Sequence, residues 1–284
     1  MLGHFCAVLS STGLLNSNGN REPRTKNEQL RTRDDGQRTN LSIGFMIRAL
    51  FVTLIALAYI LLVGTPILIR AAISGNTDIL YRAGRFGAGL VLWLSGVKLE
   101  VIGRDKTRTD RAVIFMSNHQ SNCDPPAVFN ILPPVLIIGK KQFFRVPILG
   151  HGMALRGFIP IDRKNRAQAI EAIETAIRAL KAGHSFLIYP EGTRSPDGRL
   201  QAFKKGAFVM AIKAGAPIVP ISISGSGRVM PKGKFEIHPG VVRITVHDAV
   251  PTEGCLPDDR DRIMELVRQA ISSGLSEDEL PVPA

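Results

Sequence analysis

His119 and Asp124 stand five residues apart, and together they are the residues best suited to chemistry. An unperturbed imidazole titrates near ~6.5, so at neutral pH it can take a proton from a hydroxyl and hand it on to a leaving group. A carboxylate on its other ring nitrogen fixes the tautomer and stabilises the imidazolium that forms. Five residues turn through ~500° on an ideal helix, ~140° net, so the two cannot meet on one helical face. They need an irregular corner, and the flanking residues supply one. The apolar run Ala112–Met116 leads into Ser117-Asn118, and Pro125-Pro126 follow Asp124. That pattern is a strand entering a polar corner and then a helix start. A plainer reading stands beside it: Asp124 as only an N-cap, with Pro125 at the first helical position. Cys123 and Ser121 lie in the same corner, and a Cys near a His is a further candidate nucleophile.

Three more corners follow predicted strands: Gly157–Arg163, Tyr189–Ser195 and Ile218–Ile221. Parallel strands open their carboxyl ends on one edge of a sheet, where ligands bind. Five side chains are therefore expected to converge on one cleft: His119, Asp124, Arg163, Glu191 and Arg194. Singly, each has a duller explanation. Arg163 is a solvated charge, Pro190-Glu191-Gly192-Thr193 a turn, and Lys204 and Lys205 the exposed start of a helix. Their joint placement after strands favours the cleft. Arg163 and Arg194 offer planar forks suited to phosphate oxygens, with Lys204 and Lys205 adding point charges.

The elements that must hold these corners alternate. Strands are predicted at Lys98–Ile102, Ala112–Met116, Val135–Ile138, Gly157–Ile161, Phe186–Tyr189, Ile218–Ile223 and Val241–Val246. Helices are predicted at Arg166–Ala182, Lys204–Ala214 and Asp259–Ser273. In the first, Ile170, Ile173, Ile177 and Leu180 recur at helical spacing before Gly183. Strand–helix alternation predicts an α/β domain with a central, largely parallel sheet flanked by helices. It occupies residues 98–254, with a helix and tail over 255–284.

Residues 1–45 are polar, with little periodicity, and predict a disordered tail. Met1–Leu15 has no basic start and no A-x-A site, so no cleaved signal peptide is expected. Residues 46–97 form a hydrophobic segment. Ala49 to Ile69 is 21 residues without a charge, between Arg48 and Arg70. At 1.5 Å per residue that length can span a bilayer core of roughly 30 Å, giving an N-terminal membrane anchor. Gly64 and Pro66 are its expected kink points. A second apolar run, Phe86–Val97, has 12 residues and is too short to span alone. It reads as a re-entrant arm, an interfacial helix, or a helix packed on the body, and Trp93 suits an interface.

The chain carries a net charge of +12, concentrated in its middle: +2 over residues 1–45, −4 over 255–284 and +14 between them. A basic body suits an anionic partner. One Trp and three Tyr give weak support to a base-stacking platform, so nucleic acid is not the expected partner. Cys6, Cys123 and Cys255 form neither a disulfide framework nor a zinc spacing, which fits a reducing compartment.

Asn118-His119 with Asp124 resembles the H-x4-D motif of the glycerolipid acyltransferase family, and within it the bacterial 1-acyl-sn-glycerol-3-phosphate acyltransferases. The second motif appears as Gly157–Arg163, with Pro160 where Phe is commoner. P-E-G-T-R-S appears whole as Pro190–Ser195, and the V-P-I core as Val219-Pro220-Ile221. Lys140-Lys141-Gln142-Phe143-Phe144 with Val146-Pro147 resembles the family's K-x-x-[LF] segment. The likeness runs over roughly residues 85–250. It implies His119 as base and Asp124 as its orienter. It implies acceptor binding by Arg163, Glu191, Gly192, Thr193, Arg194 and Lys204. The implied reaction moves a fatty acyl group from acyl-CoA or acyl carrier protein to the sn-2 hydroxyl of lysophosphatidic acid. No cofactor beyond that co-substrate and no metal is implied. Attack is direct, which leaves Cys123 and Ser121 out. The implied setting is the cytoplasmic membrane, with the catalytic domain facing the cytoplasm. Alternatives are the same fold acylating glycerol-3-phosphate or another lysolipid, a hydrolase using the same pair, and a non-catalytic lipid-binding protein.

Overall fold

The computed structural model describes residues 26–162 and 165–282. Met46–Ala284 form one compact unit, preceded by a unit of residues 1–45. Among the described residues seven strands make one sheet. They are β1 (Val97–Ile102), β2 (Ile114–Ser117), β3 (Val135–Lys140), β4 (Ile159–Ile161), β5 (Ser185–Ile188), β6 (Ile218–Ser224) and β7 (Gly240–Val246). Their order is β1-β7-β6-β2-β5-β3-β4. Strands β2 to β6 run parallel; β7 is antiparallel to β6, and β1 is parallel to β7. The predicted α/β class and all seven predicted strands are present, with ends moved by no more than two residues.

The helices, in chain order, are α1 (Lys26–Tyr59), α2 (Thr65–Ser74), α3 (Asp78–Leu94), α4 (Asp124–Phe129), α5 (Leu149–Leu155), α6 (Arg166–Lys181), α7 (Gly206–Ala214), α8 (Ser226–Val229) and α9 (Arg260–Ser273). The sheet separates two apolar layers. Ile114 and Met116 of β2 pack with Ala176 and Ile177 of α6, Phe208 and Met210 of α7, and Ile263, Val267 and Ile271 of α9. Val113 and Phe115 point the other way, onto Ala127 and Val128 of α4, Leu132, and Leu92 of α3. Successive side chains leave a strand on opposite faces. With both faces covered, β2 therefore reads as an unbroken apolar run.

Three expectations change here. Helix α1 begins at Lys26, inside the stretch read as a disordered tail. Its Lys, Glu, Gln and Arg residues are good helix formers, and they adjoin an apolar helix that can propagate into them. Residues 1–25 of that stretch lie outside the described residues. The second apolar run is only the later half of a longer helix, α3, and Val97 belongs to β1. Polar Asp78, Arg82 and Arg85 hid its first turns. It packs on the body through Tyr81 and Leu92, leaving Phe86 and Trp93 exposed. Finally, Ile218–Ile221 is no corner. It lies within β6, where Pro220 pairs with Met116 and its carbonyl accepts from the His247 N–H at 2.9 Å.

Between α1 and α2 the chain makes a π-helical turn, Ile60–Gly64. Pro66 has no N–H to give the Leu62 carbonyl and its ring crowds that turn, which widens instead of breaking. Leu41–Ser74 is thus one helical stretch of 34 residues, long and apolar enough to cross a membrane. Leu50, Phe51, Leu54, Leu57, Leu61 and Leu62 are exposed along it. Helix α3 packs back against α1 at Gly87, where an added Cβ would lie 2.7 Å from the Tyr59 ring. The Tyr59 hydroxyl donates to the Ala83 carbonyl at 2.9 Å.

Candidate active site

The carboxyl ends of the parallel strands bring the chain's polar corners to one edge. The corner after β2 is pinned first by Asn118, which is fully buried. Its side-chain amide donates to the Ile223 carbonyl at 2.8 Å and accepts from the Ile223 N–H at 2.7 Å, imitating one more strand pair with β6. His119 follows. Its Nδ1 lies 2.7 Å from Asp124 Oδ2. The same oxygen accepts from the backbone N–H groups of Gln120 at 2.7 Å and Ser121 at 2.8 Å.

Asp124 is therefore not the N-cap. Cys123 occupies the cap position without a side-chain bond, and Asp124 is the first residue of α4 with its carboxylate turned back over the corner. A carboxylate oxygen only accepts, so the shared proton sits on Nδ1, and Nε2 keeps its lone pair as the basic nitrogen. Asp124 is fully buried, while the His119 side chain keeps 17% of its surface.

The corner after β5 grips the first. Tyr189 stacks on the imidazole with ring centroids 4.2 Å apart and planes 21° from parallel. Glu191 is buried, and its Oε1 accepts the His119 N–H at 2.7 Å. Its Oε2 accepts from the backbone and side-chain N–H groups of Gln201 at 3.3 and 3.1 Å. The Ser195 N–H donates to the His119 carbonyl at 2.7 Å. Burial pushes the Glu191 carboxyl up to about 7. The hydrogen bonds from His119 and Gln201 oppose that rise, and the Asp124 charge adds to it. Both oxygens of Glu191 are thus engaged by the protein itself.

Gly192 sits at φ 75° with the Lys204 stem against its Cα face; an added Cβ would lie 3.4 Å from Lys204 Cγ. The Lys204 N–H closes the loop onto the Pro190 carbonyl at 2.7 Å. Thr193 is exposed and Arg194 half-buried. The Arg194 carbonyl accepts from Lys232 Nζ at 2.7 Å. Its guanidinium, like the Lys204 ammonium, has no ion pair among the described residues. Arg163 lies outside the described residues, two positions past Ile161, the last residue of β4.

Cys123 is fully buried, and burial plus the Asp124 charge push its thiol up to about 12, which removes it as a nucleophile at neutral pH. Ser121 Oγ donates to the Met230 carbonyl at 2.9 Å and serves as a tie to the loop after β6. A second Ser–His contact lies elsewhere, Ser222 with His247 at 2.7 Å. Ser222 Oγ donates to the Ile271 carbonyl at 2.6 Å, so it accepts from His247 and braces α9. Sequence reasoning missed Tyr189, Gln201 and the clamp made by Asn118. Only Tyr189 carried a signal, as an aromatic residue at a strand end.

A buried carboxylate fixing an imidazole at the carboxyl edge of the parallel strands, beside cations without an ion pair among the described residues, is the arrangement of an α/β enzyme. The family model described as Acyltransferase matches residues 98–224. A 1-acyl-sn-glycerol-3-phosphate acyltransferase from Limnanthes alba is 32% identical over 201 residues, covering 70% of this chain and 71% of the relative. One from Chlamydomonas reinhardtii is 38% identical over 180 residues, covering 63% of this chain and 53% of the relative. The chain spans about half the length of the first curated relatives it matches. The crystal structure of the 1-acyl-sn-glycerophosphate (LPA) acyltransferase PlsC from Thermotoga maritima superposes with a TM-score of 0.72 at 27% identity, over 81% of this chain and 96% of that one. The chain belongs to the 1-acyl-sn-glycerol-3-phosphate acyltransferase family.

Proposed function

We propose that this protein transfers a fatty acyl group from a thioester, acyl-CoA or acyl carrier protein, to the sn-2 hydroxyl of lysophosphatidic acid. The observation that carries the reading is the 2.7 Å contact that seats His119 Nδ1 on Asp124 and leaves Nε2 free. An alcohol is almost fully protonated at pH 7, so Nε2 takes its proton as the oxygen attacks the thioester carbonyl. The tetrahedral intermediate collapses, the C–S bond breaks, and the imidazolium returns the proton to the thiolate. The products are phosphatidic acid and the free thiol. Asp124 holds the tautomer and offsets the imidazolium charge.

Arg194 and Lys204, joined by Arg163, hold the acceptor phosphate. Gly192 and Thr193 shape that loop, and Glu191 braces it. Substrate and product are amphiphiles. The exposed stretch Leu41–Ser74 anchors the protein in a membrane, with the catalytic domain on the cytoplasmic side of the inner membrane where the donors are. Apolar Phe143, Val146 and Leu149 are exposed after β3, on the site's edge of the sheet.

The test is an assay of the purified protein over a panel of lysolipid acceptors and acyl donors. His119→Ala is expected to lose at least ~100-fold in rate, the usual worth of a general base. Full activity in that variant would remove the mechanism, and acylation of glycerol-3-phosphate in preference to lysophosphatidic acid would change the acceptor.

A further inference from the structure

The hydrogen bond from Nδ1 to Asp124 fixes one point of the His119 ring and leaves it free to pivot about that bond. A pivot carries Nε2 away from the substrate hydroxyl while keeping the bond intact. The face of the ring is held by Tyr189, whose ring lies 4.2 Å away and 21° from parallel. Offset stacking of this kind is worth more than the area it buries, and an aromatic face also attracts the imidazolium that forms during proton transfer. The backbone of the same residue closes the grip. The Tyr189 carbonyl accepts the Gly192 N–H at 3.0 Å, which forms the turn that aims Glu191 at the His119 N–H. The Tyr189 hydroxyl, by contrast, is buried with no hydrogen-bond partner among the described residues. Burial and the nearby Asp124 and Cys123 hold its phenol well above the usual tyrosine range, so it stays neutral.

We propose that Tyr189 is a positioning residue for the reaction: its ring face sets the plane of the His119 imidazole against Asp124, and its hydroxyl takes no part. The proposal rests on the reading of His119 as the base. It predicts a division between two substitutions. Tyr189→Phe keeps the face and removes only the hydroxyl. Tyr189→Leu removes the face, and a misplacement of the reacting nitrogen by about 1 Å costs on the order of 100-fold.

The experiment is steady-state kinetics with lysophosphatidic acid and acyl-CoA for wild type, His119→Ala, Tyr189→Phe and Tyr189→Leu, with thermal unfolding of each. The Leu variant is expected to lose ~10- to 100-fold in kcat while KM for both substrates stays within about twofold. The Phe variant is expected to keep kcat within about twofold and to melt no lower than wild type, because it deletes an unsatisfied polar group. If the Leu variant does not fold, Tyr189→Met, flexible enough to fill the gap without a flat face, takes its place. The proposal is overturned if the Leu or Met variant keeps wild-type kcat, if only KM changes, or if Phe falls as far as Leu. An inactive wild type would instead defeat the reading of His119, and this proposal with it.

Discussion

Glu191 lies in the family's most recognisable motif, where the sequence places it among the acceptor-binding residues, yet both of its oxygens are engaged by the protein. Changing it to Gln separates the two roles. A Gln amide has one accepting oxygen where the carboxylate has two. Its NH2 group must then face either the His119 N–H or the Gln201 N–H groups, donor against donor. One buried donor loses its partner, at a cost of about 1–3 kcal/mol. The carboxylate carries its own cost. Its pKa is about 7 in the fold against an ordinary 4.5, an interval worth roughly 3 kcal/mol. The sign follows from proton uptake. Between those values the folded state binds the proton and the unfolded state does not, so stability falls as pH rises from about 4.5 to about 7. Gln cannot titrate, and that slope disappears. Urea unfolding of wild type and Glu191→Gln at pH 5 and pH 8 should therefore show the variant gaining roughly 2.5 kcal/mol on wild type over that range. Its kcat should fall, because the backbone of His119 is less firmly held, and acceptor KM should stay within about threefold. A tenfold rise in acceptor KM with kcat and the pH slope unchanged would return Glu191 to the substrate and refute the brace.

Arg194→Ala removes a guanidinium that has no ion pair among the described residues. It should raise KM for the phosphorylated acceptor roughly tenfold or more, leave acyl-donor KM alone, and change the melting temperature little; a rise confined to the donor would reassign that loop to the thioester. His247 supplies a pH signature opposite to that of Glu191. Burial and the Lys106 charge hold its imidazole below the usual 6.5, against the pull of Asp248. The unfolded chain takes up a proton that the fold resists, so this contribution is complete above about 6.5 and is lost as pH falls below it. His247→Gln should flatten that acid-side loss in urea midpoints compared at pH 5 and 7.5, and an unchanged slope would show that His247 does not titrate against the fold.

The fold was legible because periodicity survives in a sheet covered on both faces. The runs at Ile114–Ser117 and Ile218–Ser224 are apolar enough to announce strands, and Gly183 and Gly215 mark the ends of α6 and α7. The pairing of His119 with Asp124 was only half legible locally: five residues and two prolines suit a corner, but they suit a plain N-cap at Asp124 equally, and the motifs downstream tipped the balance. What stayed hidden depends on distance along the chain. Glu191 meets the His119 N–H across 72 residues, and Asn118 meets Ile223 across 105. A motif shows that such residues belong together and not which atoms touch. The role of Glu191 is the clearest case, because a carboxylate in an acceptor motif and a carboxylate bracing a base are the same letters. Val219-Pro220-Ile221 misled for a different reason. Proline punctuates most chains, but it lacks only the N–H, and inside β6 its carbonyl still accepts from His247. The family's conspicuous signatures are thus of two kinds. In the proposed reaction His119 and Arg194 face the substrate, whereas Asp124, Glu191, Pro220 and Asn118 fix the strands and corners that aim them. Substitutions in the first kind should change rate or KM at constant stability, and those in the second should change both together.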